Sequence, residues 1–352
     1  MGHRYAAVQW NANKIAYDLW IVACLAAFLA AFLAVGLAAR PDGHAADPVG
    51  LLIRALGAAA FLMLSATLAI GPLARLSRRF NPFLYNRRHL GVATFLVAAA
   101  HFGLATAWYH GSGPLNPFVS LLASSPLAAS IDGVPFELFG LAAFAVLLAM
   151  AATSHDFWLN NLTAPLWKAL HMLVYAAYAL IVLHVAFGAL QTARGAAYPA
   201  LTVAAALAIG ALHLAAAFRE RRRDRLMAGR KPVAGWIEIC APADIPDKRA
   251  VIAPLPGGER VAIFRDGARI YAVTNVCRHQ NGPLGEGCIV DGAITCPWHG
   301  WQYRPEDGVS PPPYTEKIAT YDLRLEAGRI LLRRNANRPG TKSAFLMLER
   351  AP

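Results

Sequence analysis

Six apolar stretches fill most of the first 218 residues of this chain, at 19–39, 51–73, 90–109, 136–152, 167–190 and 199–218. A helix needs about 20 such residues to cross a bilayer core, and lipid leaves no other way to pair every backbone group. The fourth stretch is short for that length, yet the pattern predicts a six-helix transmembrane bundle over residues 19–218. Composition agrees: the 352 residues are 57% hydrophobic and only 15% charged, where a soluble protein would carry about 25%. Basic residues then set the threading. Arg75, Arg78, Arg79, Arg87 and Arg88 lie between the second and third stretches, and Arg219, Arg221, Arg222, Arg223, Arg225, Arg230 and Lys231 follow the sixth. Residues 110–135 contain no Lys or Arg. Cytoplasmic loops carry the excess of these residues, so both termini are expected in the cytoplasm and the 110–135 loop outside. The net charge of +12 is thus a topology signal, and a nucleic-acid partner is not expected. Residues 5–14 are polar and lack the order of a signal peptide.

Ionisable side chains inside spans are costly and tend to face the bundle interior, where they do chemistry. The third stretch contains His101, with His89 at its cytoplasmic mouth; the fifth contains His171 and His184. These two spans point the same way, so His89 levels with His171 and His101 with His184. The step from His171 to His184 covers roughly 20 Å of helix, which suits two stacked metal centres. Neutral imidazoles from two helices are reasonable axial ligands for haem iron; an imidazole that merely bonds a neighbouring helix is the competing reading. Neither pair falls on one straight helix face, so tilt or local unwinding is required. His213 in the sixth span competes as a partner for His171. His3, His44, His110 and His155 read as surface residues. No internal repeat is evident.

Beyond a basic linker at 219–234, suited to lie against anionic lipid headgroups, composition changes. Short β-type runs at 261–264, 269–273 and 292–295 are punctuated by Asp266-Gly267 and Asp291-Gly292. This predicts a small all-β domain over 235–333, with 334–352 left as a tail. Within it stand Cys277-Arg278-His279 and, sixteen residues on, Cys296-Pro297-Trp298-His299-Gly300. Two thiolates and two imidazoles could hold zinc. Zinc sites usually pair like with like, however, whereas each pair here mixes one Cys with one His. Mixed pairs suit a two-iron cluster with both thiolates on one iron and both imidazoles on the other. Cys24, Cys240 and Cys288 are scattered, so a disulfide framework is not expected.

The C-x-H and C-P-W-H-G-W-x-Y motifs resemble the Rieske family. That resemblance makes Cys277, His279, Cys296 and His299 the [2Fe-2S] ligands and puts Trp298, Gly300 and Tyr303 around them. The two cysteines that lock the cluster loops in Rieske proteins of cytochrome bc complexes correspond to Gly282 and Trp298, and their Ser to Trp301. Fewer hydrogen bonds to the cluster should lower its potential, so the domain resembles the ferredoxin and oxygenase type.

Gly71-Pro72-Leu73, Arg87-Arg88-His89-Leu90-Gly91 and His101 resemble the ferric-reductase-like transmembrane family. So do Thr153-Ser154-His155-Asp156 and Trp167-Lys168-Ala169-Leu170-His171-Met172-Leu173-Val174-Tyr175 with His184. The branch that fits best is the haem-binding membrane subunit of the bacterial methionine sulfoxide reductase system. The resemblance implies one or two b-type haems, with His101 and His184 on the outer one and His171 and His89 on the inner. It implies a bacterial inner-membrane oxidoreductase component that takes electrons from a cytoplasmic donor, reductase or ferredoxin in type, and gives them to a periplasmic or membrane acceptor. The alternative is a Rieske donor tethered to the membrane and serving a cytoplasmic oxygenase or reductase, with the helices mainly an anchor. No fingerprint of a flavin or nicotinamide domain is found.

Overall fold

The computed structural model describes residues 12–38, 47–122, 130–131, 134–155, 158, 161–162, 164–190, 197–228, 234–256, 258–279, 281–298 and 300–348. The chain divides into two units, one made of residues 1–70 and 86–212 and the other of residues 71–85 and 213–352.

The helices, in chain order, are α1 (Ala12–Ala38), α2 (Pro48–Leu76), α3 (Asn81–Tyr85), α4 (Arg87–His110), α5 (Pro117–Leu122), α6 (Glu137–Ala152), α7 (Ala164–Met172), α8 (Val174–Leu190) and α9 (Ala197–Ala228). A two-residue hairpin, β1 (Ser130–Ile131) with β2 (Val134–Pro135), precedes α6. Among the described residues five helical stretches are long and apolar enough to cross a membrane: Lys14–Ala38, Pro48–Leu76, Arg87–His110, Leu166–Gly188 and Pro199–Arg222. The sixth expected span corresponds to α6, which is apolar but only 16 residues long. At 1.5 Å per residue it reaches about 24 Å, short of a hydrocarbon core of about 30 Å.

Asp47 starts α2 in the usual way for a cap: its carboxylate accepts the N–H of Gly50 at 2.8 Å, and Pro48 takes the first helical position, where no N–H is needed. Phe61, Leu64 and Leu68 of α2 pack with Ala143 and Leu147 of α6 and with Val174, Ala177 and Tyr178 of α8. Between α7 and α8 the regular ladder lapses at Leu173, whose N–H turns to Leu170 O at 3.1 Å. That break lies between His171 and His184.

The last helix corrects a boundary. The basic segment expected to begin a linker at 219 continues α9 to Ala228, because Arg and Glu are good helix formers. Residues 229–233 lie outside the described residues.

The second unit is mostly β. A five-stranded sheet runs β4 (Ala250–Pro254), β5 (Arg260–Asp266), β6 (Arg269–Thr274) and β10 (Thr320–Tyr321), with β13 (Leu346–Met347) also on β6. A second sheet joins β11 (Leu323–Glu326), β12 (Arg329–Arg333) and β3 (Trp236–Cys240); a third joins β7 (Cys288–Val290), β8 (Ala293–Thr295) and β9 (Gln302–Tyr303). All the strand pairs are antiparallel. The turn between β7 and β8 is Asp291-Gly292, with φ of 50° and 77°, the left-handed pair that a two-residue hairpin turn demands. The residues expected as a tail instead return to the sheet, where Leu346 pairs with Ile270.

Strand β5 is buried on both faces. Side chains alternate along a strand, so Val261 and Ile263 join one core with Ile270, Ala272, Ile330 and Leu332. Ala262 and Phe264 face the other core, which holds Leu284, Tyr303 and the two motif cysteines, Cys277 and Cys296.

Candidate metal centres

The first Cys/His loop leaves β6 and the second joins β8 to β9. Both close with the same hydrogen bonds. Cys277 N–H reaches Gly282 O at 2.9 Å, and Asn281 N–H reaches Cys277 O at 2.7 Å. Cys296 N–H reaches Trp301 O at 2.8 Å, and Gly300 N–H reaches Cys296 O at 3.0 Å. In each loop the fourth residue after the cysteine is left-handed, with φ of 60° at Asn281 and 71° at Gly300, a conformation these two residue types accept at least cost.

Cys277 and Cys296 are each 1% exposed. A Cβ placed on Gly282 would lie 2.7 Å from Cys296 Sγ and 3.3 Å from the Trp298 ring. The backbone of one loop is therefore pressed against the thiol of the other, which brings the two cysteine loops together. His279 is half-buried, its ring stacked on Trp301 with centroids 4.2 Å apart and planes 7° off parallel. Trp301 is held in turn by its Nε1–H on Ser310 Oγ at 3.1 Å. The Tyr303 hydroxyl accepts the N–H of Arg278 at 3.0 Å and sits 3.4 Å from Cys277 Sγ. Burial first, then the neighbouring Cys277, holds that phenol above its ordinary pKa. Two buried sulfurs, an oriented imidazole and a gap only glycine can line fit an iron–sulfur cluster. His299 lies outside the described residues.

In the helical unit His101 and His184 come together, with ring centroids 6.4 Å apart and planes at 81°. Two imidazoles this close, from neighbouring helices, are near enough to hold one metal-bearing group between them. His101 Nδ1 bonds Ile53 O at 2.9 Å and His184 Nδ1 bonds Phe136 O at 3.0 Å. A carbonyl can only accept, so each Nδ1 carries the proton and each Nε2 presents its lone pair. That is the state of a metal-binding histidine, whose second nitrogen donates to a carbonyl or carboxylate. The donor set fits a haem iron.

His89 and His171 take separate partners. His89 Nδ1 lies 2.9 Å from an Asp18 carboxylate oxygen. His171 Nδ1 donates to Trp167 O at 3.0 Å, its ring stacks on Trp167 with centroids 3.8 Å apart, and its Nε2 is 3.4 Å from Ser154 Oγ. His89 thus meets its partner through Nδ1, whereas both ring nitrogens of His171 have one. His213 is half-buried on α9. Sequence reasoning missed Asp18, an acidic residue at the mouth of an apolar run and so a usable signal. It also missed the carbonyls of Ile53 and Phe136, for which residue type gives none.

Comparison with known proteins follows this division. The family described as "Ferric reductase like transmembrane component" matches residues 56–182, and that described as "Rieske [2Fe-2S] domain" matches residues 235–322. One relative is the protein-methionine-sulfoxide reductase heme-binding subunit MsrQ of Bordetella pertussis, 36% identical over 144 residues, which are 41% of this chain and 64% of that protein. Its counterpart in Polaromonas naphthalenivorans is 30% identical over 177 residues, 50% of this chain and 74% of that protein. The ferredoxin component of the alkene monooxygenase system of Xanthobacter autotrophicus is 29% identical over 98 residues, 28% of this chain and 80% of that protein. The chain thus spans just under two thirds of the Bordetella relative.

Fold and motifs together define a ferric-reductase-like membrane protein with a Rieske [2Fe-2S] domain joined after its helices. Through those helices the chain belongs to the family of MsrQ, the heme-binding subunit of protein-methionine-sulfoxide reductase.

Proposed function

We propose that this chain carries electrons across the bacterial inner membrane, from a cytoplasmic donor that meets the Rieske domain to a periplasmic or membrane acceptor. Cys277, His279, Cys296 and His299 would hold the cluster; His101 and His184 would hold b-type haem, and His89 and His171 a second. Each of these groups, when bound, exchanges one electron at a time. The observation that carries the reading is the His101–His184 pair: two imidazoles from α4 and α8, 6.4 Å apart, each with Nδ1 tied to a carbonyl. A helical part that served only as an anchor would gain nothing from desolvating two imidazoles, since ionisable residues at membrane depth are costly.

The chain's own residues supply position and insulation. Trp301 fixes the plane of His279, and the paired loops keep Cys277 and Cys296 away from water. The MsrQ relatives, named as heme-binding, support the helical half of the reading. The ferredoxin relative favours a second reading, in which the Rieske domain serves a cytoplasmic oxygenase and the helices tether it. Optical and EPR spectra of the purified protein separate the two. Reducible b-haem bands together with a mixed nitrogen/sulfur two-iron signal are expected, and His101→Ala or His184→Ala should remove the haem that this pair would hold while sparing the cluster signal. A protein with the cluster but without haem would overturn the first reading in favour of the second.

A further inference from the structure

His101 and His184 sit in two copies of one device. Each ring bonds the carbonyl of a residue 48 positions earlier, Ile53 for one and Phe136 for the other. Four residues beyond each of those carbonyls stands a glycine, Gly57 on α2 and Gly140 on α6. A Cβ built on Gly57 would lie 3.0 Å from Cε1 and 3.1 Å from Nδ1 of His101. Built on Gly140, it would lie 2.8 Å from Nδ1 and 2.9 Å from Cε1 of His184. In an α-helix the carbonyl of residue i points along the axis at residue i+4, so the side chain at i+4 stands beside that oxygen. Glycine there opens a notch through which an imidazole from a neighbouring helix can share the carbonyl.

The two copies extend beyond these residues. Ile53, Gly57 and His101 recur as Phe136, Gly140 and His184 at a constant step of 83 residues. At the same step residues 57–66 match residues 140–149 at six of ten positions: Gly57, Ala59, Ala60, Phe61, Leu64 and Ala66 recur as Gly140, Ala142, Ala143, Phe144, Leu147 and Ala149. Leu90 and Ala93 on α4 recur as Leu173 and Ala176. The likeness is densest around Gly57 and Gly140 and thin along the histidine helices, so what recurs is the local setting of each histidine. One histidine from each setting meets its counterpart at 6.4 Å.

We infer that Gly57 and Gly140 are positioning residues for the metal-binding imidazoles. Each admits its histidine to a helix carbonyl, which holds the proton on Nδ1 and leaves Nε2 for the metal. The inference rests on the reading of His101 and His184 as one axial pair. Other helical glycines differ among themselves: Gly36, Gly50 and Gly188 are crowded by Leu51, Asp47 and Phe136, whereas Gly91, Gly103 and Gly210 have nothing within 4 Å of a built Cβ and make the contrast. At such open sites Gly→Ala favours the helix, so a loss on the same change at Gly57 or Gly140 is diagnostic.

The test uses the full-length protein in detergent, with Gly57→Ala, Gly140→Ala, His101→Ala, His184→Ala and, as control, Gly103→Ala. Residues that orient a metal ligand typically account for 10–100-fold in metal affinity. Haem retention in the two glycine variants should fall by roughly that factor, with more loss at Gly140, where the contact is tighter. Haem that remains should show shifted low-spin EPR g-values, which report ring orientation; the cluster signal should be unchanged, and Gly103→Ala should match the wild type throughout. Wild-type haem content and g-values in both glycine variants, with haem lost from the histidine variants, would overturn the inference and leave the axial pair standing. Wild-type haem content in both histidine variants would overturn the His101–His184 pair and the inference with it. If both glycine variants are missing from membranes in which haem-depleted wild-type protein accumulates, the glycines serve the fold and the inference falls.

Discussion

Tyr303 shows how much one side chain can set at an iron–sulfur site. Its hydroxyl has a single proton. The backbone N–H of Arg278 is donated to that oxygen at 3.0 Å, so the phenol's own proton remains for Cys277 Sγ, 3.4 Å away. The same burial that raises the phenol's pKa keeps the proton in place over any ordinary pH. A hydrogen bond to a ligand sulfur stabilises the reduced cluster and raises its potential. Tyr303→Phe should therefore lower the midpoint potential. A hydrogen bond worth about 0.5–1.5 kcal/mol corresponds, at 59 mV per tenfold for one electron, to a fall of roughly 20–65 mV. An EPR-monitored redox titration of the cluster measures this, and an unchanged potential would remove Tyr303 from the list of tuning groups. The position of Tyr303 was legible because it belongs to a spaced motif. Ser310, which steadies Trp301 and through it His279, was not, since a loop serine carries no mark of what it will reach.

Elements were legible where burial dictates a period and obscure where partners decide the ends. The runs at 261–264 and 269–273 became β5 and β6 because both faces of β5 are covered and the turn at Gly267-Ala268, closed by the Asp266–Arg269 pair, registers them. Good helix formers carry α9 past residue 218, but its own residues do not show what holds its last turns. Glu220 and Asp224, one helical turn apart, both meet the guanidinium of Arg260 on β5, at 2.5 Å and 2.6 Å. Carboxylates four residues apart repel on an isolated helix, so a cation from a strand turns a helix-weakening pair into a helix-holding one. All three side chains are about one third exposed, so solvent screening limits each pair to about 0.5–1 kcal/mol. Replacing both carboxylates, Glu220→Gln with Asp224→Asn, should release the last turns of α9. Amide exchange over residues 220–228 should rise about fivefold, as expected for the loss of roughly 1 kcal/mol, with the β-sheet core unaffected. Hydrogen-exchange mass spectrometry reads this directly; unchanged exchange in that segment would mean that the helix end holds without Arg260. The β13 pairing was hidden for a related reason: two residues of strand have no period, and only the open edge of β6 makes them one.

At the scale of the whole molecule, the proposed function depends on which side of the membrane the Rieske domain faces. Five helical stretches of spanning length would put the two ends of the chain on opposite sides, and a sixth crossing by α6 puts them on the same side. Charge favours the second, as the proposed function requires: residues 110–135 carry no Lys or Arg, while Arg75, Arg78, Arg79, Arg87 and Arg88 crowd the preceding loop and Arg219, Arg221, Arg222, Arg223, Arg225, Arg230 and Lys231 follow the last apolar stretch. Moving either Arg cluster outward would oppose the bias that orients spans during insertion. A helix too short for the local core can still cross by thinning the bilayer around it, at a cost of fractions of a kcal/mol per Å. For α6, with a deficit of about 6 Å, that is small beside translocating several arginines. The expected outcome is a C-terminal tag protected from protease in intact spheroplasts and digested in inverted membrane vesicles, with a cysteine placed at Ser112 labelled by an impermeant maleimide only from the outside. A tag cleaved in spheroplasts would place the Rieske domain outside. The donor would then have to be periplasmic, and the direction of electron flow proposed here would be reversed, even with every ligand assignment intact.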